Sequence, residues 1–385
     1  MRTALAVVLW TSLGLIVYTH VGYPLLLALL ARFGKPRPPL EPPSDLPRVT
    51  LIVAAHDEEA AIERRVENAL ALDYPPERLD VTIASDGSRD RTVALAKAAA
   101  AAGGAGRVRV LDLPRSGKVR AQDAAVDEAS GEVLAFSDAN ALWKPDALRL
   151  LVRRLAEPRV GYVCGQLRYL AADGSNQEGV YWRYETAVRA LETRVGSITA
   201  GNGAVYAVRR EAYMRLDPRT SHDLSFPFNL VKRGWQAVYE PGAVAVERPL
   251  ASLEGEFRRK RRMMSHAWPA VLAGGMLNPR GYGALYALEI YSHRLLRYAT
   301  PILHVVALAV NVPLAFGSTL YTITLALQLA FLAAALLGRL TAGRPRALGL
   351  AYYYVLVTAS LAAGLWDWLR HGTPTTWERA EGRPT

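Results

Sequence analysis

Val81-Thr82-Ile83-Ala84-Ser85-Asp86-Gly87-Ser88-Arg89-Asp90 is the stretch that decides how this chain folds. Its apolar, β-branched opening reads as a buried strand. The Gly-Ser-Arg-Asp run reads as a turn entering a capped helix. Turn and cap account for Gly87, Ser88 and Asp90, but neither needs a carboxylate at position 86, where the strand ends. Val133-Leu134-Ala135-Phe136-Ser137-Asp138-Ala139-Asn140 repeats the pattern. Acidic residues at the strand ends of an alternating strand–helix chain face the ligand crevice of an open α/β sheet.

Working outward, residues 49–53 read as a first strand and 58–72 as a helix. Residues 79–84 form the second strand, and 92–102 an alanine-rich helix stopped by Gly103-Gly104. A strand over 107–111, a helix over 118–129 and a strand over 132–136 complete β-α-β-α-β-α-β. This order predicts the α/β class with a mostly parallel sheet.

The 385 residues are 51% hydrophobic, and the apolar residues are unevenly placed. Residues 4–31 carry no Lys, Arg, Asp or Glu, and neither do residues 298–338. A helix needs about 20 apolar residues to cross a bilayer. The spacing predicts spans within 4–31 and over 298–316, 319–338 and 347–366. The first is longer than a signal-peptide core and lacks a clear cleavage site, so it reads as a retained anchor. The expected organisation is an anchor (1–34), a proline-rich linker (35–47) and a soluble domain (48–255). Basic amphipathic interface helices (256–297), three transmembrane helices (298–369) and a polar tail (370–385) follow.

Net charge is +11. Arg32, Lys35 and Arg37 follow the first span, and Arg339, Arg344 and Arg346 lie between the third and fourth. The positive-inside rule puts these loops and the soluble domain in the cytoplasm, with the hairpin tip near Gly317 outside. With three spans after the soluble domain, the tail is expected outside. Membrane topology explains where the charges lie, so no nucleic-acid partner is expected. Cys164 is the only cysteine, which excludes an intrachain disulfide.

Ala54-Ala55-His56-Asp57-Glu58-Glu59 closes the first strand. Its acids complement a helix dipole, and a carboxylate there could also accept hydrogen bonds from a ribose or base. Arg115-Ser116-Gly117-Lys118 opens a helix in a way that suits phosphate, although the GxxxxGK[ST] spacing is absent. Asp138 and Asn140 are two apart on an extended segment and point the same way. They could reach Mg²⁺ or Mn²⁺ held also by a diphosphate, or simply form an Asx turn. His222-Asp223 is not a dyad, since sequence neighbours point apart; the plain reading is a surface turn. The run 257–264, with Arg258, Arg259, Lys260, Arg261 and Arg262, reads as a basic amphipathic helix at a membrane surface, able to place cations near a diphosphate.

In this order, the motifs resemble the membrane-bound family-2 glycosyltransferases with a GT-A fold, and most closely the cellulose, hyaluronan and chitin synthase relatives. The resemblance covers about residues 48–270 and the membrane arrangement. The family's P-A-x-N-E-E is similar to 54–59 and its D-D-x-S-x-D to 85–90. Its G-K-x-x-A-x-N is similar to 117–123, and its D-x-D to 138–140. Its G-x-x-x-A-x-R-R is similar to the segment from Gly201 to Arg210, and its base-bearing E-D to His222-Asp223. The resemblance implies that Ala55, Glu59, Asp86, Lys118 and Asp138 hold a nucleoside-diphosphate sugar, with a UDP-sugar expected. Asp138 and Asn140 would hold Mg²⁺ or Mn²⁺, and Asp223 would be the general base. Gly201, Asn202, Gly203, Arg259, Arg262 and Trp268 would lie toward the acceptor and diphosphate. The sequence departs from the family at Asn140, Asp57 and Asp123. It lacks Q-x-x-R-W, for which Trp268 is the nearest tryptophan; this counts against processive synthesis more than against glycosyl transfer.

The reading is an inverting, metal-dependent glycosyltransferase, multi-pass in a cell membrane such as a bacterial inner membrane. Its acceptor would be lipid-linked or a polysaccharide. A non-catalytic membrane scaffold retaining the fold is the alternative. A transporter finds little support, because the spans hold no acidic residues.

Overall fold

The computed structural model describes residues 1–33, 45–104, 106–169, 179–248, 253–341 and 345–373. The proline-rich linker falls largely in 34–44 and the tail largely in 374–385, outside the described residues.

The soluble part is built on one eight-stranded sheet in the order β3-β2-β1-β4-β7-β6-β8-β5. The strands are β1 (Val49–Ala55), β2 (Leu79–Asp86), β3 (Val108–Leu113), β4 (Val133–Asp138), β5 (Leu142–Trp143), β6 (Val160–Tyr169), β7 (Tyr206–Arg209) and β8 (Gln236–Glu247). The first four are mutually parallel, as the alternating pattern predicts. β7 then pairs antiparallel with both β4 and β6, and β5 antiparallel with β8, so the second half is mixed.

Helices α2 (Ile62–Leu70), α3 (Thr92–Gly103) and α5 (Ala147–Leu155) cover one face, and α4 (Lys118–Asp127) and α7 (His222–Lys232) the other; α6 (Val180–Val195) packs on β8. Alternation along β1 sends Val49, Leu51 and Val53 into the first layer and Ile52 into the second. Burial on both faces is why these strands read as continuous apolar runs. α2 starts at Ile62 rather than 58, because the Glu58 carbonyl closes a turn by accepting from the N–H groups of Ala61 and Ile62.

Among the described residues, four helices are long and apolar enough to cross a membrane: α1 (Arg2–Phe33), α9 (Ala284–Ala315), α10 (Thr319–Leu340) and α11 (Arg346–His371). α1 and α9 each contain a π-helical turn, at Tyr18–Gly22 and Ile290–Leu295. The two turns meet where Tyr18 Oη and Ser292 Oγ lie 2.9 Å apart. Arg2 lies against Gly317, so the start of α1 and the tip of the α9–α10 hairpin share one end. Arg194 of α6 donates to the Ala31 carbonyl, so the soluble domain sits at the other end.

The basic run lies on α8 (Leu253–Leu272), which packs closely on α11: a methyl on Gly364 would meet Met264 Cβ at 2.5 Å. Arg261 forks onto Asp367 with two 2.6 Å bonds, and Thr373 Oγ1 donates to the Ser265 carbonyl at 2.8 Å. The end of α11 is therefore tied to α8, the helix that carries the basic run.

Candidate active site

The ends of β1, β2 and β4 lie level, with Ala54 opposite Asp138 and Ala55 opposite Ser85. Their loops interlock. Asp57 N–H donates to Ser88 Oγ (3.1 Å), Arg89 N–H to Asp57 Oδ1 (2.7 Å) and Glu59 N–H to Asp90 Oδ2 (3.1 Å). These bonds hold Asp57 at φ 52°, a conformation uncommon outside glycine. The Glu59 carboxylate pairs with Arg91 at 3.3 Å on the surface.

Asp86 is fully buried. Its carboxylate accepts from the backbone N–H of Ser116 (2.6 Å) and Gly117 (3.0 Å) and from Arg115 Nη1 (3.3 Å). The anion held before α4 is thus a side chain of the protein, where the sequence suggested a phosphate. Gly87 makes this close approach possible: it sits at φ 63°, and a methyl there would meet Arg115 N at 2.8 Å.

Lys118, the first residue of α4, pairs with Asp138 at the end of β4; both side chains are about one-quarter exposed, at 26% and 25%. Gly203 leaves open the space beside this pair, since a methyl there would lie 3.4 Å from Lys118 Nζ and 3.9 Å from Asp138 Oδ2. The 201–203 segment is fixed on several sides. Gly201 N–H donates to the Asp223 carbonyl (2.7 Å), and Arg189 Nη2 to the Gly201 carbonyl (3.0 Å). Asn202 Oδ1 accepts from the N–H of Ala204 and Val205. Asp223 stands in the first turn of α7, where the helix dipole favours a carboxylate.

His222 is buried, with its ring edge-on to Phe136 and Phe226 and its Nδ1 2.7 Å from Tyr206 Oη. Burial, with the Lys118 charge nearby, pushes the imidazole down to about 3, so it is neutral at ordinary pH.

One cavity of about 410 Å³ is walled by Lys118, Asp138, Gly201, Asn202, Gly203, Asp223, Arg259 and Arg262. The structure therefore brings together eight of the residues singled out in the sequence. Ala55, Glu59, Asp86 and Asn140 are not on its wall. Nor is Trp268, which is buried between helices, donating its indole N–H to the Leu361 carbonyl at 3.0 Å and packing on Tyr298.

The far wall comes from α6, α8, α9 and α11 and includes Glu185, Arg189, Arg294, Arg297, Val357 and Leu361. Behind it lies a buried polar network. Glu192 accepts from Tyr23 Oη (2.9 Å) and Thr199 N–H (3.0 Å) and lies 2.6 Å from His293 Nδ1. Arg294 Nε donates to Thr199 Oγ1 at 2.8 Å. Glu185 pairs with Arg297. Burial alone would push the Glu185 carboxyl up, but Arg297 and His293 hold it well below the usual carboxylate range. Sequence reasoning missed these residues. Their one signal was several ionisable groups near the edges of apolar segments.

A divalent ion bound with a diphosphate commonly takes one or two protein carboxylates and completes its shell with phosphate oxygens and water. The Asp138 carboxylate on the cavity wall fits that pattern. Among the described residues, no group of three His, Cys, Asp or Glu forms an all-protein cage.

Residues 50–237 match glycosyl transferase family 2. An N-acetylglucosaminyltransferase of Rhizobium leguminosarum bv. trifolii is 36% identical over 127 residues, 32% of this chain and 69% of the relative. One of Rhizobium meliloti is 28% identical over 220 residues, 52% of this chain and 50% of the relative. A beta-monoglucosyldiacylglycerol synthase of Synechocystis is 33% identical over 123 residues, 30% of this chain and 24% of the relative. The chain thus spans about two thirds of one relative and half or less of the others. In fold it is similar to a mannosyltransferase from Pyrobaculum calidifontis solved with GDP-Man and Mn²⁺. That likeness has a TM-score of 0.73 at 23% identity and covers 94% of this chain and 99% of the other. The chain belongs to the family-2 glycosyltransferases, with a GT-A fold and apolar helices suited to a membrane.

Proposed function

We propose that this enzyme is an inverting, metal-dependent glycosyltransferase that moves a sugar from a nucleoside diphosphate to a lipid-borne acceptor. One observation carries the reading: the cavity that holds Lys118, Asp138 and Asp223 is also walled by two apolar helices, through Tyr298 of α9 and Val357 and Leu361 of α11. A site open to both a polar donor and an apolar helix wall suits an acceptor delivered from the bilayer. The Synechocystis relative, named for a glucosyldiacylglycerol product, supports the same class.

In this reading Asp138 holds Mg²⁺ or Mn²⁺, which neutralises charge on the leaving diphosphate when bound. Lys118 adds a fixed positive charge on the same side, preorganised by its pairing with Asp138. Asp223 takes the proton from an acceptor hydroxyl as that oxygen attacks the anomeric carbon. One displacement inverts the centre, with no enzyme nucleophile. Catalysis takes place on the cytoplasmic side of a multi-pass membrane protein.

The test is a panel of labelled nucleotide sugars incubated with the protein in membranes, with lipid and polymer products separated. A lipid-soluble labelled product is expected. Asp223→Asn should lower turnover by roughly 10²- to 10⁴-fold, the usual worth of a general base, with donor binding nearly unchanged. Near wild-type turnover in that variant would reject the base assignment, and label only in polymer would reject the lipid acceptor.

A further inference from the structure

We propose that His222 is a donor-binding residue whose Nε2–H hydrogen-bonds an acceptor oxygen of the bound nucleoside-diphosphate sugar. The inference rests on the donor reading above. The imidazole lines the same cavity as Lys118, Asp138 and Asp223. Its Nε2 is buried and has no hydrogen-bond partner in the protein, although buried polar atoms are nearly always paired.

One tautomer uses every proton of the hydrogen-bond network. Gln122 Nε2 donates to Tyr206 Oη at 3.4 Å, and with the tyrosine's own proton directed at His222 Nδ1, 2.7 Å away, the hydroxyl both accepts and donates. A neutral imidazole that accepts at Nδ1 carries its proton at Nε2. The orphan atom is therefore a donor, and it needs an oxygen with a free lone pair. Four aromatic rings hold the imidazole in place: Phe136, Tyr206, Tyr213 and Phe226, with centroids 5.6, 6.2, 6.3 and 4.7 Å away. The ring is thus held in a single position. Arg189 Nη1 is a second buried donor without a hydrogen-bond partner on a residue lining this cavity. Two orphan donors suit a ligand rich in acceptor oxygens, such as a diphosphate or a sugar.

Two substitutions separate the two nitrogens of the ring. His222→Asn keeps a polar group near Nδ1 for Tyr206 and loses the far donor. His222→Gln keeps an amide N–H near Nε2. The full-length protein in detergent is titrated calorimetrically, with Mn²⁺, against GDP-mannose, UDP-N-acetylglucosamine and UDP-glucose, and against GDP and UDP alone. Thermal unfolding is followed in parallel. For whichever donor the wild type binds, His222→Asn should weaken affinity by roughly 10- to 100-fold, the worth of a hydrogen bond to a charged or strongly polar group. His222→Gln should recover most of that loss. A loss already present with the nucleoside diphosphate places the bond on the diphosphate; a loss seen only with the sugar nucleotide places it on a sugar hydroxyl. Equal affinities for wild type and His222→Asn, accompanied by a lower unfolding temperature, would reduce His222 to a packing residue and overturn the inference. A wild type that binds no nucleotide would instead remove the donor reading, and this inference with it.

Discussion

Acidification from pH 7 to pH 5 should destabilise the soluble domain mainly through one imidazole. His222 moves from an ordinary value of 6.5 to about 3 on folding. Its folded pKa is depressed, so the unfolded chain takes up the proton first, and stability falls as pH drops below 6.5. At pH 5 the unfolded histidine lies 1.5 units above the solution pH and the folded one is still neutral. At 1.36 kcal/mol per unit this costs about 2 kcal/mol. The depressed carboxylates, such as Glu185 with its Arg297 partner, lose stability only below their ordinary 4.5, so they leave this window clear. For a domain of this size, 2 kcal/mol is roughly 4–8 °C in unfolding temperature. The assay is thermal unfolding in detergent between pH 5 and 8, for wild type and His222→Gln, which does not titrate. The wild type should lose about 2 kcal/mol more than the variant over that interval. Parallel pH profiles would show that the imidazole is solvated or already charged in the fold, and the burial argument would be wrong.

Activity should vanish with EDTA and return with Mg²⁺ or Mn²⁺; Asp138→Ala should abolish metal-dependent nucleotide binding, while Asn140→Ala is milder, as a neutral amide is a weaker ligand for a hard cation. Equal nucleotide affinity with and without metal, read calorimetrically, would show the site to be misassigned. Arg297→Met strands the Glu185 carboxylate in a buried site and should cost about 3–5 kcal/mol, with part regained when Glu185→Gln is added; unchanged thermal unfolding of the single variant would contradict this. For topology, single cysteines at Asp45, Ser318 and Thr373 in a Cys164→Ala background can be probed with an impermeant thiol reagent in intact cells. Alanine suits a fully buried, apolar site better than serine does. Labelling is expected only at 318, because Thr373 is bound to Ser265 of α8. Labelling at 373 would show that α11 crosses fully, and labelling at 45 would put catalysis on the wrong side of the membrane.

What the sequence made legible was local. The runs ending in Asp86 and Asp138 announced parallel strands because both faces of those strands are buried, and Lys118 could be placed at a helix start by the glycine before it. The same local logic does not show what Asp86 touches within the protein. A carboxylate at a strand end looks like a ligand group until the loop thirty residues later folds back and donates to it, and nothing within ten residues of Asp86 encodes that return. His222 is the converse case. Beside Asp223 it looked like a surface turn, yet Phe136, Tyr206, Tyr213 and Phe226 bury it, and they come from four separate elements or loops. Hydropathy likewise identified α11 as a span from its composition alone. Its contacts with Arg261 and Ser265 depend on α8, a helix whose basic run pointed to a membrane surface without saying what it would touch. The contacts of Asp86 with residues 115–117 and of His222 with Phe136 both join stretches far apart in the chain. Lys118, Asp138 and Asp223 meet on one cavity wall, and the place of each follows from the element that carries it.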